Sequence, residues 1–104
     1  MPHIFVRGIP QEELQSLSSP IKELVTTISQ AAPSYVKIFH DPMCRMDAPE
    51  DVAIDVYWMH RPQDLCDRMA NALTELFQSR GVSFVQVTFT EFPGNLFYEN
   101  GIHY

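Results

Sequence analysis

Cations are scarce in this chain. Seven lysines and arginines stand against thirteen aspartates and glutamates in 104 residues, a formal net charge of -6. Non-specific nucleic-acid binding needs a basic footprint, so that class is excluded as a partner. Long apolar runs are also missing. No stretch approaches the roughly 18 apolar residues of a membrane helix, so no membrane partner is expected. Arg7 interrupts the first apolar run and no cleavage pattern follows, so the start does not read as a signal peptide. The expectation is a soluble cytoplasmic protein. Cysteine is limited to Cys44 and Cys66, read as reduced thiols rather than a disulfide frame. His3, His40, His60 and His103 show no metal-type spacing with each other or with the cysteines. Phosphate loops, nucleophile elbows and nucleic-acid motifs are absent. No cofactor or metal is expected.

What remains is a globular composition, with 45% hydrophobic and 19% charged residues. The length fits a single domain over residues 1–104 with a modest core, and chains this small often rely on oligomerisation.

His3 to Arg7 (HIFVR), closed by Gly8, predicts a strand over 3–8. Pro10-Gln-Glu-Glu opens a helical pattern, with proline at the start and acids in the first turn. Leu14, Leu17, Ile21, Leu24, Val25 and Ile28 form its apolar stripe. Ser18-Ser19-Pro20 interrupts it, and an interior proline costs about 3 kcal/mol. A kink or short turn is expected there, before a main helix of 20–31 that Pro33 ends. YVKIF predicts a second strand over 35–39, closed by His40-Asp41-Pro42. A polar loop follows over 43–51. VAIDVYWM predicts a third strand over 52–59, apolar on both faces except at Asp55. Pro62-Gln-Asp opens a second helix with Leu65, Met69, Leu73, Leu76 and Phe77 as its stripe and Gly81 as its stop. SFVQVTFT predicts a fourth strand over 83–90. Pro93-Gly94 marks a turn, and Asn100-Gly101 a short hairpin in the tail.

The order is strand, helix, strand, given twice. IPQEEL (9–14) is echoed by RPQDL (61–65), and YVKIFHDP (35–42) loosely by FVQVTFTEFP (84–93). The halves, about 1–50 and 51–104, therefore read as two βαβ units. The expected fold class is α+β: a four-stranded mixed sheet with two helices on one face and a short C-terminal hairpin. Two helices cover only one sheet face. The third strand carries apolar residues on both sides, so an uncovered second face predicts a homo-oligomer. Asp55, a carboxylate in an apolar strand, needs a partner such as an arginine across the sheet.

The Met-Pro start leading into a strand, the two βαβ units and the hairpin tail resemble the tautomerase superfamily, which includes 4-oxalocrotonate tautomerase and macrophage migration inhibitory factor. MPHIFVRG, VYWMHRPQD and FYENGIHY look like a small bacterial branch of it. The resemblance implies a MIF-like fold and a trimer. It also implies that the initiator methionine is removed, leaving the Pro2 nitrogen as general base. The chemistry suits the residue. An α-amino group titrates near 8, and desolvation or nearby cations lower that value. A base poised near 7 is what proton abstraction beside a carbonyl requires. The plainer reading of Pro2 is a small residue at a frayed end.

The resemblance implies a small anionic 2-keto or 2-hydroxy acid as substrate, held by cations. Lys37, in VKI, lies where 4-oxalocrotonate tautomerase has an arginine; the lysine lacks the bidentate fork. Arg61 precedes the second helix, whose N-terminus also favours anions; it is alternatively a partner for Asp64. Arg7 falls on the strand face opposite Pro2, to serve a neighbouring subunit's site or only the surface. Lys37 and Arg45 also read as solvated charges. Tyr98 and Asn100 are similar to aromatic and asparagine side chains that line an adjacent subunit's pocket in migration inhibitory factor; otherwise they form a hairpin turn with a packed aromatic. The glycine-arginine pattern after the family's first strand is not reproduced, since Ile9 follows Gly8. Two functions stay open: a cofactor-independent tautomerase-like isomerase, with dehalogenase, hydratase and decarboxylase chemistry as superfamily variants, or a non-catalytic oligomeric ligand-binding module of the same fold.

Overall fold

The alternation in HIFVR becomes strand β1, His3–Arg7, in a computed structural model that describes all of residues 1–104. Helix α1 (Gln11–Ser29) follows, then a short 3-10 turn at Pro33–Tyr35 and strand β2 (Lys37–Asp41). The second half repeats the order with β3 (Val52–Trp58), α2 (Gln63–Gln78) and β4 (Val85–Glu91). After a 3-10 turn at Gly94–Leu96, the tail forms a hairpin of β5 (Tyr98–Glu99) and β6 (Ile102–His103). Asn100 and Gly101 both have positive φ (52° and 83°), as a two-residue hairpin turn requires. No helix is long and apolar enough to cross a membrane.

The sheet order is β2-β1-β3-β4. Each strand-helix-strand unit pairs its own strands in parallel, and the two units meet through antiparallel β1 and β3. His3 faces Lys37, 34 positions on, and Val52 faces Val85, 33 positions on, so the two crossovers have nearly equal length. The α+β expectation, with a mixed sheet and a C-terminal hairpin, is met.

Period-two alternation decides what each strand buries. Ile4 and Val6 of β1, with Val52, Ile54, Val56 and Trp58 of β3, are almost wholly buried. They form one core with Leu14, Leu17, Ile21 and Val25 of α1 and Met69, Leu73 and Phe77 of α2. Both helices therefore lie on one face. The other face carries the odd-numbered residues of β1, β2 and β3 and the even-numbered ones of β4. Phe5 stacks on Phe39 at 4.8 Å between ring centres and meets Tyr57 edge-on at 5.0 Å. Arg7 lies between Asp41 and Asp55. Asp55 thus has the arginine partner that its apolar strand demanded. The face is mixed rather than wholly apolar, aromatic in the middle and ion-paired toward one end.

Several boundaries differ from the expectation: β1 and β3 each end one residue early, β4 runs over Val85–Glu91 rather than 83–90, and α1 and β2 differ most. Helix α1 runs unbroken through Pro20 and ends at Ser29, where Gln30 turns left-handed at φ 64°. The reason is the continuous stripe. Leu14 and Leu17 lie on one side of Pro20 and Ile21 and Val25 on the other, all buried against the sheet. A break would tilt half of that stripe off the core, which outweighs one missing backbone donor. Strand β2 begins two residues later than expected, because Pro33 nucleates a 3-10 turn that takes in Tyr35. His40 and Asp41 then extend the strand to pair with Val6 and Arg7. Gly8, at φ 91°, fixes the exit from β1: a Cβ there would lie 2.1 Å from the Asp51 carbonyl oxygen.

Because Pro20 gives up a helix hydrogen bond, Pro20→Ala should raise unfolding free energy by about 1–3 kcal/mol, less the unfolded-chain rigidity that proline contributes. Urea unfolding at fixed protein concentration checks this, and equal or lower stability would show that the helix needs its proline.

Candidate active site

The N-terminal end of β1 is where the sequence placed its reactive group, and the fold encloses it. Pro2 is buried, and Met1 is only 4% exposed. Strand β2 flanks this end, with the Lys37 amide donating to the Pro2 carbonyl at 3.3 Å. The tail closes the other side. The Tyr104 amide donates to the Phe97 carbonyl at 3.1 Å, and their rings meet edge-on at 5.3 Å. Phe97 also meets the His3 ring at 5.4 Å, and Tyr104 reaches Tyr35 at 6.2 Å. Aromatic contacts therefore draw the hairpin over the start of β1.

This fold-back brings a carboxylate with it. Lys37 Nζ donates to Glu99 Oε2 at 2.9 Å, an ion pair between residues 62 positions apart. Arg61 stands nearby with its guanidinium 5.4 Å from the centre of the Trp58 ring, donating to the carbonyls of Met59 and His60 at 2.9 and 3.2 Å. It makes no bond to Asp64. The terminal ammonium feels this arrangement. Burial pushes its pKa below the ordinary value of 8.0; Glu99 opposes that shift, and Lys37 and Arg61 reinforce it. His3 is likewise lowered from 6.5, first by burial and then by the terminal ammonium and Lys37. Its Nε2 is buried without a hydrogen-bond partner.

Of the residues singled out from sequence, Pro2, Lys37 and Arg61 come together here. Arg7 does not. It lies at the other end of β1, about 16 Å along the strand, held by Asp41 and Asp55. Tyr98 is 57% exposed and touches only the His103 ring among aromatic groups, at 5.7 Å, and Asn100 sits in the exposed hairpin turn. The tail residues that do face Pro2 are Phe97 and Glu99, of opposite parity to Tyr98 and Asn100. Alternation could have offered either pair; only the fold-back of the chain after Pro93 selects the odd one. His3 was passed over for want of a metal partner.

A cleft of about 310 Å³ lies at the opposite end of the sheet, bordered by Gly8, Met43, Cys44, Val52 and Phe84. Its cations are already matched: Arg45 by Asp47 and Asp51, Arg7 by Asp41 and Asp55. It lacks the terminal amine, so the chemistry favours the Pro2 end. No group of three His, Cys, Asp or Glu side chains is arranged to hold a metal ion.

The sequence matches DUF1904, a domain of unknown function, over residues 1–103. The chain belongs to the DUF1904 family. A DUF1904 structure from Sebaldella termitidis superposes with a TM-score of 0.90 at 24% identity, covering 100% of both chains. A macrophage migration inhibitory factor-like protein from Entamoeba histolytica gives 0.82 at 13% identity, covering 99% of this chain and 98% of that one. A fused 4-oxalocrotonate tautomerase (4-OT), solved as an asymmetric trimer, gives 0.78 at 16% identity, covering 98% and 94%. No curated protein matches the sequence. The fold of this DUF1904 chain is that of the tautomerase superfamily.

The lowered His3 pKa has a sign. The unfolded chain binds the proton more tightly, so stability is unpenalised above pH 6.5 and falls as pH drops through 6.5 toward the folded value. His3→Gln should remove that part of the acid-side slope in unfolding free energy measured from pH 8 to 5. Identical slopes would show that His3 is not buried as described.

Proposed function

We propose that this protein is a cofactor-independent keto-enol tautomerase-like isomerase, with the Pro2 nitrogen as general base on a small 2-keto or 2-hydroxy acid. The observation that carries the reading is the burial of Met1 at the start of β1, beside Lys37 and Arg61. Removing Met1 frees a secondary amine and also vacates the space of one side chain next to it. A methionine-sized space suits a small acid.

The parts then have separable roles. Burial, Lys37 and Arg61 lower the pKa of the terminal ammonium carried by Met1; the same causes would act on a Pro2 amine and favour its neutral, basic form. Its lone pair takes the proton from the enol oxygen and returns it to carbon, or the reverse. Strand β1 is hydrogen-bonded to both β2 and β3, which fixes the nitrogen in direction. Lys37 and Arg61 hold the carboxylate and polarise the keto oxygen. Phe97 and Tyr104 exclude water from one side. In this reading the protein is a homo-oligomer, most simply a trimer like the 4-OT neighbour. The aromatic open face around Phe5, Phe39 and Tyr57 supports that, since Phe39 is 42% exposed in the single chain. Tyr98 and Asn100, which point away from their own chain's Pro2, then belong to an adjacent subunit's pocket. Arg7 stays with its two carboxylates.

A second reading is a non-catalytic ligand-binding module of the same fold. The burial of Met1 also favours it if the methionine is retained, because the Pro2 nitrogen is then an amide and not a base.

Enol-to-keto conversion of phenylpyruvate and 2-hydroxymuconate separates the two. Protein of verified Pro2 N-terminus should turn over phenylpyruvate, and the dicarboxylic 2-hydroxymuconate less well, and Pro2→Ala should lose a hundredfold or more of kcat/KM, within the usual range for a general base. Equal rates in both, or no turnover despite a free Pro2, would leave only the binding module.

A further inference from the structure

We propose that Glu99 is the internal counter-ion of Lys37 and makes the Pro2 site selective for a monocarboxylic 2-keto acid over a dicarboxylic one. This rests on the reading of Pro2 as the working end of the chain. Glu99 is the carboxylate paired with Lys37, and it arrives on the C-terminal hairpin rather than on the sheet.

The charges facing the terminal nitrogen come from four elements. Strand β1 gives His3, β2 gives Lys37, the segment after β3 gives Arg61, and β5 gives Glu99. Lys37 is paired with Glu99, and Glu91 at the end of β4 accepts from the Arg61 amide at 3.2 Å. A ligand's first carboxylate can share the Lys37 ammonium. A second would meet Glu99, and like charges in a partly desolvated site disfavour each other.

Glu99 also sits where a ligand carboxylate would go. Lys37 Nζ is the amine that a substrate anion would seek, and Glu99 Oε2 already accepts from it at 2.9 Å. The pair is half-exposed, at 45% and 40% for the two side chains. Such pairs are weak, so an incoming anion can displace Glu99 or share the ammonium with it. The hairpin that carries Glu99 is built to yield. It has two residues in each strand and pairs with no strand of the main sheet. Glu99 thus opposes every anion a little and dianions most.

The test uses benzoylformate, a 2-keto acid with no hydrogen on the carbon beside the ketone, and its 4-carboxy derivative. Neither can tautomerise. Binding to protein of verified Pro2 N-terminus is measured by calorimetry, so the result does not depend on turnover and stands apart from failure of the tautomerase reading. Wild-type protein should bind the monoanion at least about tenfold more tightly than the dianion. Glu99→Gln should tighten benzoylformate about two- to fivefold, the span of a weak exposed ion pair, and tighten the dianion more, narrowing the preference at least threefold. Lys37→Met should weaken both ligands and abolish the benefit of Glu99→Gln in the double variant. The Glu99→Gln change should also lower the titration midpoint of the Pro2 amine followed by NMR, because a carboxylate favours its charged form. Melting temperature checks that each variant is folded. An unchanged preference in Glu99→Gln, weaker binding in it, a benefit that survives Lys37→Met, or no binding to any form would each overturn the proposal.

Discussion

Strand β1 is hydrogen-bonded along both edges, to β2 in parallel and to β3 antiparallel. Most of what matters in this molecule depends on that double pairing. A central strand cannot slip by one residue without sending Ile4 and Val6 to the wrong face. Their burial under α1 and α2 therefore fixes the parity of the whole strand. Parity places His3, Phe5 and Arg7 on the open face. Register places His3 beside Lys37 and Tyr57, Phe5 beside Asp55, and Arg7 beside Asp41. The terminal nitrogen is held at the end of this strand by the same constraint. The most rigid element of the sheet thus carries what is ordinarily a chain's most mobile group.

Charge is the second organising factor, because there is so little of the positive kind. Seven cations must serve the whole chain. Arg7 and Arg45 are spent on pairs of aspartates that tie strands and loop together. Lys37 and Arg61 lie at the Pro2 end, and the carboxylate that meets Lys37 there comes from a small hairpin. This division separates structural from chemical use of the same residue types. The far cleft has cations but no unmatched charge, while the Pro2 end has a partly buried terminal amine and an unpartnered His3 nitrogen.

Much of the fold was legible in the residues. The strand-helix-strand order, the echo of Pro10 by Pro62, and the Asn100-Gly101 turn each carry a local rule that tertiary packing did not override. The need of Asp55 for an arginine was legible too, because a carboxylate in an apolar strand admits few solutions. Pro20 misled because proline's local penalty is visible in sequence while the continuity of a buried stripe across it is a property of the assembled core. The site was harder to read. Pro2, Lys37 and Arg61 lie on or beside regular elements whose ends can be placed from sequence. Glu99, Phe97 and Tyr104 lie beyond Pro93 in a tail whose direction is set by aromatic contacts with His3 and Tyr35. Which parity of that tail faces Pro2 is decided by those long-range contacts, and no local pattern records them.

The central claim is that the start of β1 ends in a neutral, reactive secondary amine inside a site for 2-keto acids. An acetylenic 2-keto acid, 2-oxo-3-pentynoate, tests it directly, because a neutral amine adds to its triple bond and retains the whole reagent mass. Protein of verified Pro2 N-terminus would be treated near pH 7 and the adduct located by peptide mass spectrometry. The account predicts one adduct on the Pro2 nitrogen, suppressed by benzoylformate. An unmodified Pro2 beside labelled Cys44 or Lys37, or Pro2 labelling that benzoylformate does not slow, would contradict it.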